Sequence, residues 1–283
     1  MPSATLLGQS ILSGVLVGGL YALMGVGLSL SWAFLRLINL AHLALVFFAA
    51  YLTYALAEGA HMSPFLAMLL LVPLFFVIGV ALQWLFARFK VDEFASVLAT
   101  FGLMVIVESV IQYVWTADFR RLETPLSTAS WRVGPIFVPV SETIMFVVAV
   151  AMLLAIWVWL RFTYVGKAMR ASAENPDIAA AFGVNHARLA LLMAGVAASS
   201  ACIAGGFIAL IATLAPSQIY SWVGVIFATV IMGGLGNPLG ILAAGLLIGV
   251  SEAVTMALTA PSWAPLVSFT LLILILVLRP GRA

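Results

Sequence analysis

Two acids, Glu108 and Glu252, stand inside long apolar stretches of this chain. A carboxyl group in such a place is costly unless it is paired, protonated or used. The pair would suit a passage through the chain or a relay driven by an ion gradient. Pairing with Ser, Thr or Tyr would make them structural instead. Asn39 and His42 fall one helical turn apart at the start of another apolar run, where polar groups require a cavity or hydrogen bonds between helices. They shape a passage on one reading, and cap a helix and tie it to a neighbour on the other. A third group, Asp118, Arg120, Arg121, Glu123 and Arg132, carries charges of both signs, which suits docking of a soluble partner and equally suits ordinary solvation.

The stretch from Gly166 to Gly183 has a clear local chemistry. Asn175 is a good N-cap, Pro176 fits the first helical position and Asp177 complements the positive helix end. Gly183 suits the residue just past a helix, so the spacing predicts a short helix over 176–182. Ile178 and Phe182 are four apart and share a face, giving that helix an apolar anchor that could dock in a groove. A plain loop whose cations only set topology fits the same residues.

Several chemistries are excluded by what the chain lacks. No Gly-x4-Gly-Lys-Ser/Thr loop exists, since Gly166-Lys167 is followed by Ala168 and position 161 is Arg161. ATP hydrolysis by the usual phosphate cradle is therefore not expected of this chain. There is no zinc motif and no nucleophile elbow, so it does not read as an enzyme. The one cysteine, Cys202, allows no internal disulfide framework.

The elements that position these residues follow from composition. Charged residues make up 8% of the chain and hydrophobic ones 65%, against roughly 25% charged in a soluble domain. Residues 1–35, 37–57, 143–160, 189–251 and 253–278 carry no charged side chain. The 189–251 run alone would extend about 95 Å as a helix, roughly three bilayer cores. Backbone groups in lipid must bond internally, and continuous rather than alternating apolarity selects helices over a barrel. The first 35 residues lack the basic start of a signal peptide and read as a membrane span.

The expected fold is thus all-α: a polytopic transmembrane bundle of about 8–10 segments in one domain, 1–283, with no appended soluble domain. Nine segments are predicted, near 8–32, 37–56, 64–87, 94–115, 142–160, 189–213, 218–235, 239–259 and 264–279, punctuated by Pro64, Pro216, Pro238 and Pro261. The 218–235 segment is short and glycine-rich, and a half-helix or re-entrant element also fits it. Nine cations (Arg36, Arg88, Lys90, Arg161, Lys167, Arg170, Arg188, Arg279, Arg282) fall at one set of ends and three (Arg120, Arg121, Arg132) at the other. The positive-inside rule then places the N-terminus outside and the C-terminus in the cytoplasm. A loop near 161–188 is cytoplasmic. One near 116–141 is outside and long enough for a small hairpin or short helix. Small-residue spacings at Gly14/Gly18, Gly236/Gly240 and Gly245/Gly249 suit close helix packing, and their clustering toward both ends hints at two related halves.

The run Gly166 to Asn185 resembles the cytoplasmic loop of permeases of the branched-chain amino-acid ABC (ATP-binding-cassette) importers. So do Gly18-Gly19-Leu20-Tyr21-Ala22-Leu23, Asn39-Leu40-Ala41-His42 and Met232-Gly-Gly-Leu-Gly-Asn-Pro-Leu-Gly240, in order and spacing across about 12–252. Leu43 departs from the pattern, standing where the family usually has glycine. The resemblance implies a transport permease of the bacterial cytoplasmic (inner) membrane for branched-chain or related hydrophobic amino acids. It implies a second permease subunit, identical or homologous, two ATPase subunits that use ATP and Mg, and an external solute-binding protein. No cofactor is expected in this chain, and no nucleic acid. Gly166, Lys167, Arg170, Ala173, Glu174, Asn175, Pro176, Ile178, Phe182 and Gly183 would then contact the ATPase. Tyr21, Asn39, His42, Glu108, Gly233, Gly234, Gly236 and Glu252 would belong to the pathway, and the outer charges would dock the binding protein. A gradient-driven transporter fits the hydropathy equally well.

Overall fold

The computed structural model describes residues 4–259 and 263–278; Pro261, Arg279 and Arg282 lie outside them. Four long helices come first: α1 (Ala4–Leu35), α2 (Ala41–Gly59), α3 (Pro64–Arg88) and α4 (Glu93–Trp115). A small cap follows, made of α5 (Pro125–Thr128) and an antiparallel pair, β1 (Ser130–Val133) and β2 (Ile136–Pro139). Then come α6 (Val140–Phe162), α7 (Tyr164–Glu174), α8 (Pro176–Ala181), α9 (His186–Ile211), α10 (Gln218–Gly233), α11 (Pro238–Leu258) and α12 (Ala264–Leu278).

Among the described residues, seven helices are long and apolar enough to span a bilayer: α1, α2, α3, α4, α6, α9 and α11. The other two predicted segments are shorter. Helix α10 has 16 residues, about 24 Å of rise against a hydrocarbon core of about 30 Å. The half-helix reading of 218–235 fits that length. Helix α12 has 15 described residues.

Glycine decides which helices form the centre. A side chain at Gly14 or Gly18 of α1 would collide with the α11 backbone, Gly18 meeting the Gly245 carbonyl at 2.5 Å. The collision is mutual, since a Cβ at Gly245 would meet the Gly18 carbonyl at 2.5 Å. Lipid offers no hydrophobic drive between helices, so this close backbone approach is the main source of attraction. Gly79 of α3 and Gly205 of α2's partner α9 make similar approaches, to α9 and α2 respectively. Helices α1 and α9 are the most enclosed, 72% and 78% buried over their apolar windows, whereas α3, α4 and α6 are 28% buried. The latter three form the periphery and present residues such as Leu69, Phe94, Leu98 and Val147 outward.

Candidate functional site

The acid at position 252 is drawn into a hydrogen-bonded cluster at the meeting of α1, α11 and α12. Glu252 is 7% exposed. Its Oε2 accepts from Tyr21 Oη at 2.6 Å, and its Oε1 accepts from the Ser268 hydroxyl. These three residues face an open cavity of about 700 Å³ whose other walls include Trp222, Val225, Met256 and Phe269. Trp222 meets the Tyr21 ring edge-on at 5.9 Å between centroids. The volume falls within the range of roughly 300–1,000 Å³ seen for small-molecule sites.

The second acid reaches the same cavity through another tyrosine. Tyr220, which lines the cavity, donates to Glu108 Oε2 across from α10 to α4, and Gln112 donates to Oε1 at 3.0 Å. Both acids are therefore partnered, each by a tyrosine at the cavity wall.

Asn39 and His42 lie elsewhere. His42 is 1% exposed, and its Nε2 lies 3.1 Å from the Met24 carbonyl of α1. Gly27 opposite leaves room for the ring, since a Cβ there would collide with His42 and Ser200. Asn39 and His42 border a space of about 20 Å³, on the order of one water molecule. Asn39 Oδ1 is buried there without a hydrogen-bond partner.

Gly233, Gly234 and Gly236 form the tight hairpin between α10 and α11. Gly234 and Gly236 have φ of 86° and 72°, left-handed values that glycine adopts without strain. The Gly236 N–H donates to Ser29 Oγ at 2.9 Å, which fixes the hairpin to α1. A side chain at Gly233 would strike Ile241 at 2.6 Å.

The 161–188 loop folds as the cap residues foretell, with one addition. Asn175 Oδ1 accepts from the Asp177 and Ile178 N–H groups, both at 3.1 Å, and Pro176 opens α8. The helix ends at Ala181, one residue before the expected end, and Gly183 follows at φ 84°. Ile178 and Phe182 are 58% and 85% exposed. The addition is α7, which carries Gly166, Lys167, Arg170, Ala173 and Glu174. Its buried residues are Gly166, Met169 and Ser172, with Val165 partly buried beside them, and the Val165/Met169 spacing was available to reveal it. Gly166 lies against the end of α6, where a Cβ would meet Leu160 Cα at 2.5 Å. Arg36, at the end of α1, donates to the Ala173 carbonyl at 3.1 Å, a cation on the negative end of α7.

At the opposite end, the 116–141 loop, expected to hold a hairpin or a short helix, holds one of each, the hairpin turning at Gly134 (φ 61°). Gln9 of α1 pairs with Phe137 through both the N–H and the carbonyl, at 2.9 and 2.8 Å. Arg120 is half-buried; its backbone pairs with Leu214, and its guanidinium donates to the Trp115 carbonyl at 3.2 Å. Asp118 accepts from Thr116 at 2.7 Å, and Arg121, Glu123 and Arg132 are exposed. Sequence reasoning did not single out Ser268, Tyr220 or Trp222. Only Tyr220 and Trp222 carried a signal, as aromatics beginning a short apolar segment.

Seven long apolar helices, with a solute-sized cavity between α1, α10, α11 and α12, define a polytopic membrane protein with room for a small molecule. Residues 10–276 match the family described as branched-chain amino acid transport system / permease component, and the chain belongs to that family. It is 25% identical to the high-affinity branched-chain amino acid transport system permease protein LivH of Salmonella typhimurium, covering 96% of this chain and 93% of that one. The same identity and coverage hold for LivH of Escherichia coli K12. Identity to the corresponding permease protein BraD of Pseudomonas aeruginosa is 21%, over 96% of this chain and 94% of BraD. No solved structure matches the chain. It is a multi-pass protein of the bacterial inner membrane.

Proposed function

We propose that this chain is the permease subunit of an ABC importer, moving branched-chain or related small hydrophobic amino acids delivered by an external binding protein. It pairs with a second permease subunit, identical or homologous, and two ATPase subunits supply ATP hydrolysis with Mg. The N-terminus lies outside and the C-terminus in the cytoplasm. The exposed charges Asp118, Arg121, Glu123 and Arg132 face the binding protein, with Arg120 holding that loop against Leu214.

The observation that carries this reading is the α7–α8 unit. A six-residue helix is too short to be stable alone, yet α8 is capped at both ends and displays Ile178 and Phe182 to water. Apolar side chains held out in this way suit a groove on a partner. Arg36 ties the unit to α1, and α1 carries Tyr21 to the cavity. Nucleotide must favour one state of the pore by a few kcal/mol, and residues 166–183 are where that bias would enter.

The test is purification of the tagged chain in mild detergent. A P-loop ATPase should copurify with the wild type, and the Ile178→Ser/Phe182→Ser double variant should lose at least nine-tenths of it while inserting normally. Undiminished recovery would remove the docking role from α8. Uptake by the chain alone in liposomes, without ATP, would replace this reading with gradient-driven transport.

A further inference from the structure

We propose that Glu252 receives the ammonium group of an amine-bearing apolar solute in the 700 Å³ cavity, with Tyr21 and Ser268 holding its carboxylate in place. This deepens the pathway reading above and rests on it.

The argument begins with charge. Among the described residues lining the cavity there is an acid but no Lys, Arg or His. A phosphate or a dicarboxylate would meet an unbalanced like charge there. A cation or a zwitterion would not. The carboxylate is also pre-arranged. Two hydroxyls donate to it, one on each oxygen. A carboxylate offers about four acceptor positions, so roughly two remain for further donors. An ammonium group carries three donors and matches that remainder.

The walls select the rest of the solute. Trp222, Met256 and Phe269 supply apolar surface in the same cavity as the carboxylate, and aromatic walls tolerate a cation. A solute with a branched alkyl body and an ammonium head would satisfy both parts. Glu108 is not itself a lining residue and meets the cavity only through Tyr220, so Glu252 is the acid a solute there would face.

The experiment uses the purified full-length chain in nanodiscs and two probes with the same branched alkyl body, 3-methylbutylamine and 4-methylpentanoate. Binding is read by saturation-transfer NMR. The amine should bind at least tenfold more tightly than the acid. Glu252→Gln should abolish that preference, and Glu252→Asp should keep part of it. Equal binding of amine and acid to the wild type, or an amine affinity unchanged in Glu252→Gln, would overturn the assignment. If Glu252→Gln fails to insert, the comparison of the two probes on the wild type decides alone. Import is read separately, as ATP-driven leucine uptake. Its absence in the wild type would remove the importer reading and leave amine binding standing, whereas loss of the amine preference would do the reverse.

Discussion

The Tyr21–Glu252–Ser268 cluster and the Asn39–His42 corner are two places where polar side chains interrupt apolar helices, and the helices treat them in opposite ways. At the first, three side chains from three helices converge on a cavity of about 700 Å³. At the second, the space is about 20 Å³, and His42 is packed against Gly27 and held by the Met24 carbonyl. The difference lies in what stands opposite. Glycine at position 27 lets α1 close on the imidazole, while bulky Trp222 and Phe269 stand in the wall of the cavity that Glu252 borders. A polar residue at membrane depth thus marks either a seam or a chamber, and its neighbours' volumes decide which.

That contrast can be broken most severely at the seam. Gly27→Val would place its Cβ 2.7 Å from the Ala197 carbonyl and against His42 and Ser200. Overpacking of this kind costs about 1–3 kcal/mol, and more where backbone cannot give. The yield of monodisperse protein should fall at least fivefold, with a lower melting temperature. Any material that does insert should keep its specific uptake rate.

The chamber should behave the other way. Tyr21→Phe removes one donor from Glu252 and keeps the ring in place, with Ser268 still donating to the other oxygen at an open cavity. Yield should be unchanged, and leucine uptake per molecule should drop by about tenfold. If yield falls instead, the cluster is a seam as well and the distinction fails.

The smallest effect is expected at Asn39. Its Oδ1 is buried without a partner, so Asn39→Ala strands no donor and should not lower stability. Melting temperature and uptake should both stay near wild type. A loss of uptake alone would move Asn39 from the seam to the passage.

Much of the fold was legible because lipid imposes simple rules. The charge-free runs gave the long helices, and Asn175, Pro176 and Gly183 placed α8 to within one residue. The Gly14/Gly18 and Gly245/Gly249 spacings marked faces of close packing, though not that they meet each other. What stayed hidden was partnership. A helix in lipid is apolar toward both its neighbours and the bilayer, so its sequence carries no period to show which side faces inward. Nothing near Glu252 announces Tyr21, which lies 231 residues away, or marks Ser268 out from the other serines. Helix α7 is the opposite case. It lies at a water boundary, and Val165 and Met169, four apart among small and charged residues, mark the side it turns inward.

The glycine contact between α1 and α11 also sets a schedule. Helix α1 finds its main partner only when Gly245 and Gly249 leave the ribosome, about 230 residues after it, which at roughly 5–20 residues per second is ten seconds or more. Through that interval α1 must reside in the bilayer with its glycine face unmatched. Its freedom from charged side chains across a 32-residue helix lets it wait there without a partner.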